Sequence, residues 1–179
     1  YLTGHPIARY EDELARIISA RLIDMSGTVQ ANEAVRPGSG QEKNVIAAGL
    51  VLGVRVINTR RGRMAVVTLD DRSARMEVTL FSDLYENSRS EINKDKVLVV
   101  KGKLSLDDYT GNYRLTADEI FNIDRAREFF ARRLVISVDQ EKGRNGFLRS
   151  LADVLGPYRE GRCPIWVQYS SQDARVSMP

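Results

Sequence analysis

The sequence is poor in the residues from which most catalytic and metal centres are built. It contains one cysteine, Cys163, and one histidine, His5, among 179 residues. A lone cysteine cannot form an internal disulfide, so we expect a reducing, cytoplasmic setting. These counts also exclude a tetrahedral Cys/His zinc site. A Ser-His-Asp or Cys-His catalyst would have to use His5, which directly precedes Pro6 and fits the start of a helix better.

Long apolar runs and nucleotide-binding glycine motifs are also missing. No segment approaches the roughly 18 consecutive apolar residues of a membrane-spanning helix, so we expect no membrane partner. No basic-then-apolar start indicates a signal peptide, and neither a Walker A motif nor a Rossmann glycine fingerprint is found. The hydrophobic fraction of 42% and the charged fraction of 28% are typical of a soluble globular protein. The chain does not start with Met, so we expect it to be a piece of a longer protein.

Positive charge is only slightly in excess. The formal net charge is +3 and the pI is about 9.1. Residues 43–123, where the strand pattern is strongest, hold 13 Lys and Arg against 11 Asp and Glu, a net charge of +2. So small an excess does not by itself indicate a nucleic-acid partner. The case for a nucleic-acid partner must therefore rest on the positions of the arginines.

Two pairs of adjacent carboxylates, Asp70-Asp71 and Asp107-Asp108, raise the question of a metal site. Both pairs lie in predicted turns. Asp is favoured in turns because its side chain accepts hydrogen bonds from nearby backbone amides. We therefore interpret both pairs as turn residues and expect no metal ligands among them.

The central part of the chain predicts a closed five-stranded barrel. Alternating apolar and polar residues predict strands at about 45–59, 63–70, 74–81, 97–106 and 113–123. Ser82 and Asp83 are expected to cap a helix that runs to about Ile92, between the third and fourth strands. Gly49 and Gly53 would let the first strand coil around the barrel. Three strands, a helix and two strands is the order of an OB-fold.

The flanking segments predict smaller elements. A helix over 3–19 precedes the barrel, and the polar, Pro- and Gly-rich residues 26–42 predict a flexible linker. After the barrel, Asp124 is expected to cap a helix over 125–133. A strand over 134–138, a helix over 145–155 and a strand over 165–169 then predict a partial α/β domain of β-α-β type. The expected fold class is mainly β with α, divided into 1–25, 26–42, 43–123 and 124–179.

The barrel carries a candidate surface for single-stranded nucleic acid. OB-folds bind oligonucleotides on the face of strands two and three and in two loops, using cations for phosphates and flat side chains for bases. Guanidinium groups suit both tasks, and the first loop holds three arginines in four residues. That loop and the hairpin between strands four and five should frame one groove. The candidates are Arg60, Arg61, Arg63, Arg72, Arg75, Lys101, Lys103, Tyr109, Tyr113 and Arg114.

Ordinary structural roles compete with this hypothesis. Three arginines in a tight turn are often only a solvated loop, and the two tyrosines could pack at the end of the barrel. Arg125, Arg132 and Arg133 are expected to form a solvated helix face rather than a DNA contact.

Several segments resemble one family. They are YLTGHPI, AAGLVLGVRVINTRRGR, TLDDRSARMEVTLF and the run from VLVVKGKLSLDDYTGNYRLTA to IDRARE. Together, and in this order, they resemble the C-terminal region of the alpha subunit of bacterial DNA polymerase III, the replicative C-family polymerase. The resemblance covers nearly the whole chain. Residues 26–42 match least and look like a variable insertion.

This resemblance implies three expectations. The parent chain would be a nucleotidyltransferase that uses Mg²⁺ held by acidic palm residues, none of which lie here, so this piece would have no catalytic residue and no cofactor of its own. The barrel would contact the single-stranded DNA template in the bacterial replisome, through the candidates above. Residues 124–179 would begin the domain that docks the tau subunit of the clamp loader, so its site is expected to be incomplete. Other polymerase III holoenzyme subunits are expected partners.

Two other functions remain open. An anticodon-binding OB domain of a class II tRNA synthetase would be followed by a large antiparallel-sheet catalytic domain, whereas a β-α-β unit follows here. A protein-docking barrel that touches no nucleic acid is compatible with the acidic turns and the modest net charge.

Overall fold

The computed structural model describes residues 4–25, 42–60, 62–106, 113–141, 146–171 and 175–178. It divides into two compact units, Tyr1–Arg127 and Glu128–Pro179. The helices are α1 (Glu11–Leu14), α2 (Ser82–Ser88), α3 (Ile123–Phe130) and α4 (Phe147–Leu155). The strands are β1 (Lys43–Thr59), β2 (Gly62–Asp70), β3 (Arg75–Leu80), β4 (Val97–Leu106), β5 (Tyr113–Asn122), β6 (Leu134–Asp139), β7 (Ile165–Ser170) and β8 (Arg175–Met178).

The first unit is a closed barrel with the strand order β1-β2-β3-β5-β4. All pairs are antiparallel except β3 with β5, which run parallel. The predicted fold class is confirmed, and each barrel strand begins and ends within two residues of its predicted bounds. The predicted linker 26–42 lies outside the described residues, apart from Glu42.

The long strand β1 is shared between the two sides of the barrel. Its first half pairs with β4 and its second half pairs with β2. A Cβ atom on Gly49 would lie 2.8 Å from the Cβ of Leu69, so the strands approach here closely enough to require glycine. The register shifts between Val51 and Gly53, which marks a bulge close to the point where β1 passes from pairing with β4 to pairing with β2.

The barrel interior is filled by alternate residues of its strands together with two residues from the N-terminal segment. Leu22 and Met25 are buried in the same core cluster as the strand residues, with Met25 fully inaccessible. The amide of Leu22 donates to Oδ2 of Asp71 (2.8 Å), and the amide of Ile46 donates to Oγ of Ser19 (2.9 Å). Residues 4–25 are therefore attached to the barrel by both packing and hydrogen bonds.

The predicted single helix over 3–19 is wrong in its form. The chain instead makes a 3₁₀ helix, Pro6–Tyr10, followed by the single turn α1 and further turns. His5 does start the first of these, because its Nδ1 accepts a hydrogen bond from the amide of Ile7 (3.3 Å). Leu22 and Met25 of the N-terminal segment reach the core because the segment packs against the barrel, and this does not require a continuous helix.

The predicted helix caps are also wrong. Helix α2 follows Phe81, which makes no side-chain capping bond, and it ends at Ser88 rather than near residue 92. At the start of α3, Oδ1 of Asn122 accepts a hydrogen bond from the amide of Arg125 (2.9 Å), so the cap is Asn122 and not Asp124. Asn122 is the last residue of β5, and this position lets its side chain reach the first free amides of the helix. Helix α3 ends at Phe130, earlier than predicted.

The second unit contains the predicted β-α-β arrangement. Strands β6 and β7 are parallel, with α4 between them in sequence, and β8 adds an antiparallel edge that the sequence did not predict. Helix α4 ends at Leu155, as predicted, and the chain then forms a short 3₁₀ helix, Gly156–Tyr158. Among its described residues Val138 is the one buried side chain. No helix in the described parts of the chain is long and apolar enough to cross a membrane.

Candidate nucleic-acid interface

Strands β1, β2 and β3 present one outward surface, which we call the outer face. Alternate residues of β2 point into the core, as Ala65, Val67 and Leu69 do, so the residues between them point outward. Cross-strand partners share a face, which extends this surface onto β1 and β3. The outer face consists of Arg55, Ile57, Met64, Val66, Thr68, Arg75, Glu77 and Thr79. Val66 and Thr79 are buried although they point outward.

The arginine turn between β1 and β2, residues 59–63, lies at one end of this face. Oγ1 of Thr59 donates to the carbonyl oxygen of Gly62 (2.7 Å). Gly62 has a φ of +113°, a backbone conformation that favours glycine, and a Cβ atom here would lie 3.0 Å from the Cβ of Ser82. The turn therefore packs directly against the start of α2. Arg60 is exposed at the turn, while Arg61 lies outside the described residues.

Arg63 is held by a carboxylate of α2. Its Nε lies 2.8 Å from Oε1 of Glu86, and its Nη2 lies 3.2 Å from Oε2 of the same side chain. Both side chains are close to half exposed. A two-bond pair of this kind orients the guanidinium, but its exposure keeps its contribution to stability small. A phosphate that binds Arg63 must therefore compete with Glu86.

Arg72 and Arg75 lie at the opposite end of β2, around the turn to β3. Arg72 has a φ of 74°, and its amide donates to Oδ1 of Asp70 (2.8 Å). Its guanidinium contacts Oε2 of Glu11 (3.1 Å), while Nε of Arg75 contacts Oδ2 of Asp70 (3.0 Å). Burial alone would raise the pKa of Asp70, but these hydrogen bonds lower it overall. Both arginines are thus engaged with carboxylates.

Asp71 performs the turn role that the sequence predicts for it. Its Oδ1 accepts hydrogen bonds from the amide and hydroxyl of Ser73 and from the amide of Ala74, and its Oδ2 accepts one from the amide of Leu22. Burial acts to raise its pKa, and the Ser73 hydroxyl and the three amides together lower it below the ordinary value. Asp107 and Asp108 lie outside the described residues.

The remaining basic candidates lie on β4 and β5, away from β2 in the barrel order. Nζ of Lys101 is 2.6 Å from Oε1 of Glu119, and Nζ of Lys103 is 2.9 Å from Oε2 of Glu42. The hydrogen bond from Lys103 to Glu42 raises the pKa of this lysine. Arg114, on β5, is exposed. In the barrel, β1 separates β4 from β2, and β5 separates it from β3.

Of the two tyrosine candidates, Tyr113 lies within the described residues and Tyr109 does not. Tyr113 is partly buried and packs against the core cluster, which is the barrel-end role considered above. Tyr109 lies outside the described residues. The structure thus brings Arg60 and Arg63 together at one turn and Arg72 and Arg75 at another.

One exposed aromatic residue was missed at the sequence level. Phe81 follows β3 directly, and 58% of its surface is exposed. The alternation of residues 75–81 was visible in the sequence, and it places Phe81 on the same side as Arg75, Glu77 and Thr79. The candidate list drew its aromatic residues only from the hairpin between β4 and β5, so this signal was not used.

Comparisons with known proteins agree with the barrel fold. A family model described as "OB-fold nucleic acid binding domain" matches residues 45–123, and one described as "DNA polymerase III subunit alpha, C-terminal domain" matches residues 150–179. The DNA polymerase III subunit alpha of Escherichia coli K12 is 40% identical over 180 residues, which cover 99% of this chain and 15% of the relative. Nearly the whole chain is therefore similar to one part of a DNA polymerase III alpha subunit. The Vibrio cholerae subunit is likewise 40% identical, over 99% of this chain and 14% of its own length.

The chain thus spans about one seventh of the length of the curated alpha subunits that it matches. A small single-stranded DNA-binding protein of Streptomyces coelicolor has a TM-score of 0.40 and 17% identity, over 49% of this chain and 98% of that protein. The resemblance found in the sequence is confirmed by the curated alpha subunits.

The resemblance noted in the sequence implies Mg²⁺ for the parent polymerase. Within the described ranges, no group of three or more His, Cys, Asp or Glu side chains is placed to hold a metal ion. The adjacent carboxylates Asp70 and Asp71 use their oxygens for turn hydrogen bonds and an arginine contact. These residues do not fit a catalytic metal site.

Proposed function

We propose that this chain is the part of a DNA polymerase III alpha subunit that binds single-stranded template DNA through the arginine turn and the outer face of its barrel. The observation that carries the proposal is the position of that turn. It presents exposed Arg60 at the edge of the β2–β3 surface, and Gly62 fixes it against α2. A cationic edge beside a partly apolar strand face suits a phosphate backbone with unpaired bases.

The carboxylate partners of the basic residues affect how strongly this surface would bind DNA. Arg63, Arg75 and Lys101 each contact a carboxylate at 3.0 Å or less. Exposed pairs of this kind are worth at most about 1 kcal/mol each, so a phosphate can replace the carboxylate at small cost. Binding is therefore expected to be weak and to fall with rising salt concentration. Weak binding suits a polymerase that must move along its template.

The wider role is proposed from the family. The intact protein would be a DNA-directed DNA polymerase with Mg²⁺ in a palm domain, acting in the cytoplasm with the other holoenzyme subunits. The match of residues 150–179 to the C-terminal domain of alpha subunits supports a further proposal, that the second unit forms part of the docking site for the tau subunit.

Fluorescence anisotropy with labelled oligonucleotides tests DNA binding. We expect tighter binding to single strands than to duplex at 50 mM salt and loss of affinity at 200 mM. Replacing Arg60, Arg61 and Arg63 by Ala should weaken binding, and each lost phosphate contact should reduce the salt slope by about 0.7. The control replaces Arg132, Arg149 and Arg159, exposed arginines of the second unit, and changes the net charge equally. Equal effects of the two triple variants would contradict the proposal.

The competing functions make different predictions. A protein-docking barrel would show no preference for single strands over duplex DNA, and tau capture alone would not identify it because the second unit is also proposed to dock tau. An anticodon-binding barrel would prefer a tRNA anticodon stem-loop to a DNA strand of equal length. The curated relatives are alpha subunits of DNA polymerase III, which favours the DNA-binding function.

A further inference from the structure

We propose that Phe81 is a stacking platform for an unpaired base of the strand that the arginine turn binds. This inference rests on the proposed function and adds to it a specific contact with a base. Arginines that bind phosphates hold a strand without fixing its bases, whereas a flat ring packs against them. The structure places an exposed ring where such a contact is needed.

The backbone aims Phe81 outward. Its φ of −72° and ψ of 165° continue the extended conformation of β3. Leu80, paired with Ala65, is fully buried, and Thr79, paired with Val66, points to the outer face. Because side chains alternate along a strand, Phe81 returns to the outer face, one step beyond Thr79.

The arginine turn lies beside this ring. The next residue along the chain, Ser82, is the one whose Cβ lies 3.0 Å from the Cβ position of Gly62. Gly62 is two residues from Arg60, and successive Cα atoms are only about 3.8 Å apart. The pair between Arg63 and Glu86 joins the same turn to the same helix. A phosphate at Arg60 and a base at Phe81 are therefore within reach of one short stretch of a strand.

Within the described part of the chain, Phe81 is neither in the core cluster nor among the side chains that pack against it. Phe81 precedes α2, and its carbonyl oxygen accepts a hydrogen bond from the amide of Tyr85 (2.9 Å), a contact that any residue could provide. The aromatic side chain that anchors α2 in the core is Tyr85, which is 4% exposed. Replacement of Phe81 should therefore change the free energy of unfolding little, which separates a binding role from a structural one.

The ligand chemistry follows from the ring. Every base has a π-face, so a phenylalanine platform tolerates any sequence and makes no hydrogen-bond readout. Bases in a duplex are already stacked on their neighbours and are not available to it. The proposal thus predicts a preference for single strands that depends on bases, in addition to the charge-dependent term from the arginines.

The test compares a single-stranded oligonucleotide with an abasic strand of equal length and charge. Phe81→Ala and Phe81→Leu should bind the normal oligonucleotide about 5- to 20-fold more weakly, the lower part of the range for one stacked base. Both variants should bind the abasic strand as the wild type does. Phe81→Trp should keep its affinity, and its fluorescence should be quenched by DNA more than that of the wild type, whose single tryptophan is Trp166. Phe129→Ala, which removes a ring of similar exposure from the second unit, is the matched control.

Two results would overturn the inference while leaving the proposed function intact. One is wild-type affinity in both Phe81→Ala and Phe81→Leu, combined with weaker binding on replacement of the arginines. The other is an equal loss on normal and abasic strands. If the wild type shows no preference for single strands, the proposed function fails as well. Should Phe81→Ala unfold, the Leu and Trp variants decide the outcome.

Discussion

Glu13 and Arg127 are 114 residues apart in sequence and are joined by two short contacts. Nε of Arg127 lies 2.6 Å from Oε1 of Glu13, and Nη2 lies 2.9 Å from Oε2. Arg127 also contacts Oδ1 of Asp124 one turn earlier in α3 (3.0 Å). The ion pair between Glu13 and Arg127 therefore connects α1, which precedes the barrel, with α3, which follows it.

The first prediction concerns the pH dependence of this pair. The hydrogen bond from Arg127 lowers the pKa of Glu13 below its ordinary value of 4.5. A lowered pKa means that the pair stabilises the fold above that value and that this contribution is lost as pH falls through the lowered pKa. Glu13→Gln should reduce stability at pH 7 by less than about 1 kcal/mol, since the pair is exposed. Thermal unfolding of both proteins at pH 7 and pH 3 measures this contribution, and a stability difference that does not shrink between pH 7 and pH 3 would contradict the prediction.

The second prediction concerns Asp71, which accepts three backbone hydrogen bonds. Asp71→Ala leaves the amides of Leu22, Ser73 and Ala74 without this acceptor and should cost about 2–3 kcal/mol. Asp71→Asn keeps one acceptor oxygen and should cost less. Because the pKa of Asp71 is lowered from 3.8, its contribution is present above pH 3.8 and declines as acid protonates it. Urea unfolding at neutral pH ranks the two variants, and equal stability of both would refute the assignment.

The third prediction concerns Gly102, which lies at the register shift in the pairing of β4 with β5. A Cβ atom here would overlap the carbonyl oxygen of Thr116, a backbone atom that cannot move without breaking the strand pairing. Gly102→Ala should therefore destabilise the barrel by about 3 kcal/mol. Gly53→Ala is the control, since a Cβ atom there meets nothing within 4 Å. Circular dichroism during thermal unfolding compares them. A Gly102→Ala variant as stable as the control would contradict the observed strand spacing.

The fourth prediction concerns the competition between Glu86 and DNA for Arg63. Glu86→Gln removes the carboxylate that holds Arg63, so we expect about two- to fivefold tighter binding of a single-stranded oligonucleotide, as the worth of an exposed pair suggests. Glu160→Gln, in the second unit, removes the same charge away from the turn and controls for long-range electrostatics. Anisotropy titrations at 50 mM salt measure both. No gain beyond the control would show that Arg63 does not reach the DNA.

The strands of the barrel could be predicted because the alternation of apolar and polar residues that indicates a strand lies within the strand itself. Strand β4 begins and ends where the sequence predicts, since the continuous run Val97–Val100 and the alternation after it leave little choice of register. The helix ends could not be predicted as well. Asn122 and Asp124 are both good capping residues, and only the exit direction of β5 decides which of them reaches the free amides.

The candidate site was harder to predict, because the state of a charged side chain depends on distant partners. Glu86 is 23 residues from Arg63, and Glu11 is 61 residues from Arg72. The sequence gives the arginines but not these pairings, which the fold alone creates. Phe81 was hidden for a related reason. It directly follows β3 and continues the alternation of that strand, and its exposure depends on where the following helix begins.

Met25 and Leu22 have a practical consequence for any shorter version of this protein. A fragment that begins at β1 would keep every strand of the cylinder yet lose two of the side chains that fill it. Such a piece would contain a void lined with aliphatic groups and would tend to aggregate during purification. Aggregation of that fragment would result from the loss of these core side chains and would give no information about its affinity for DNA.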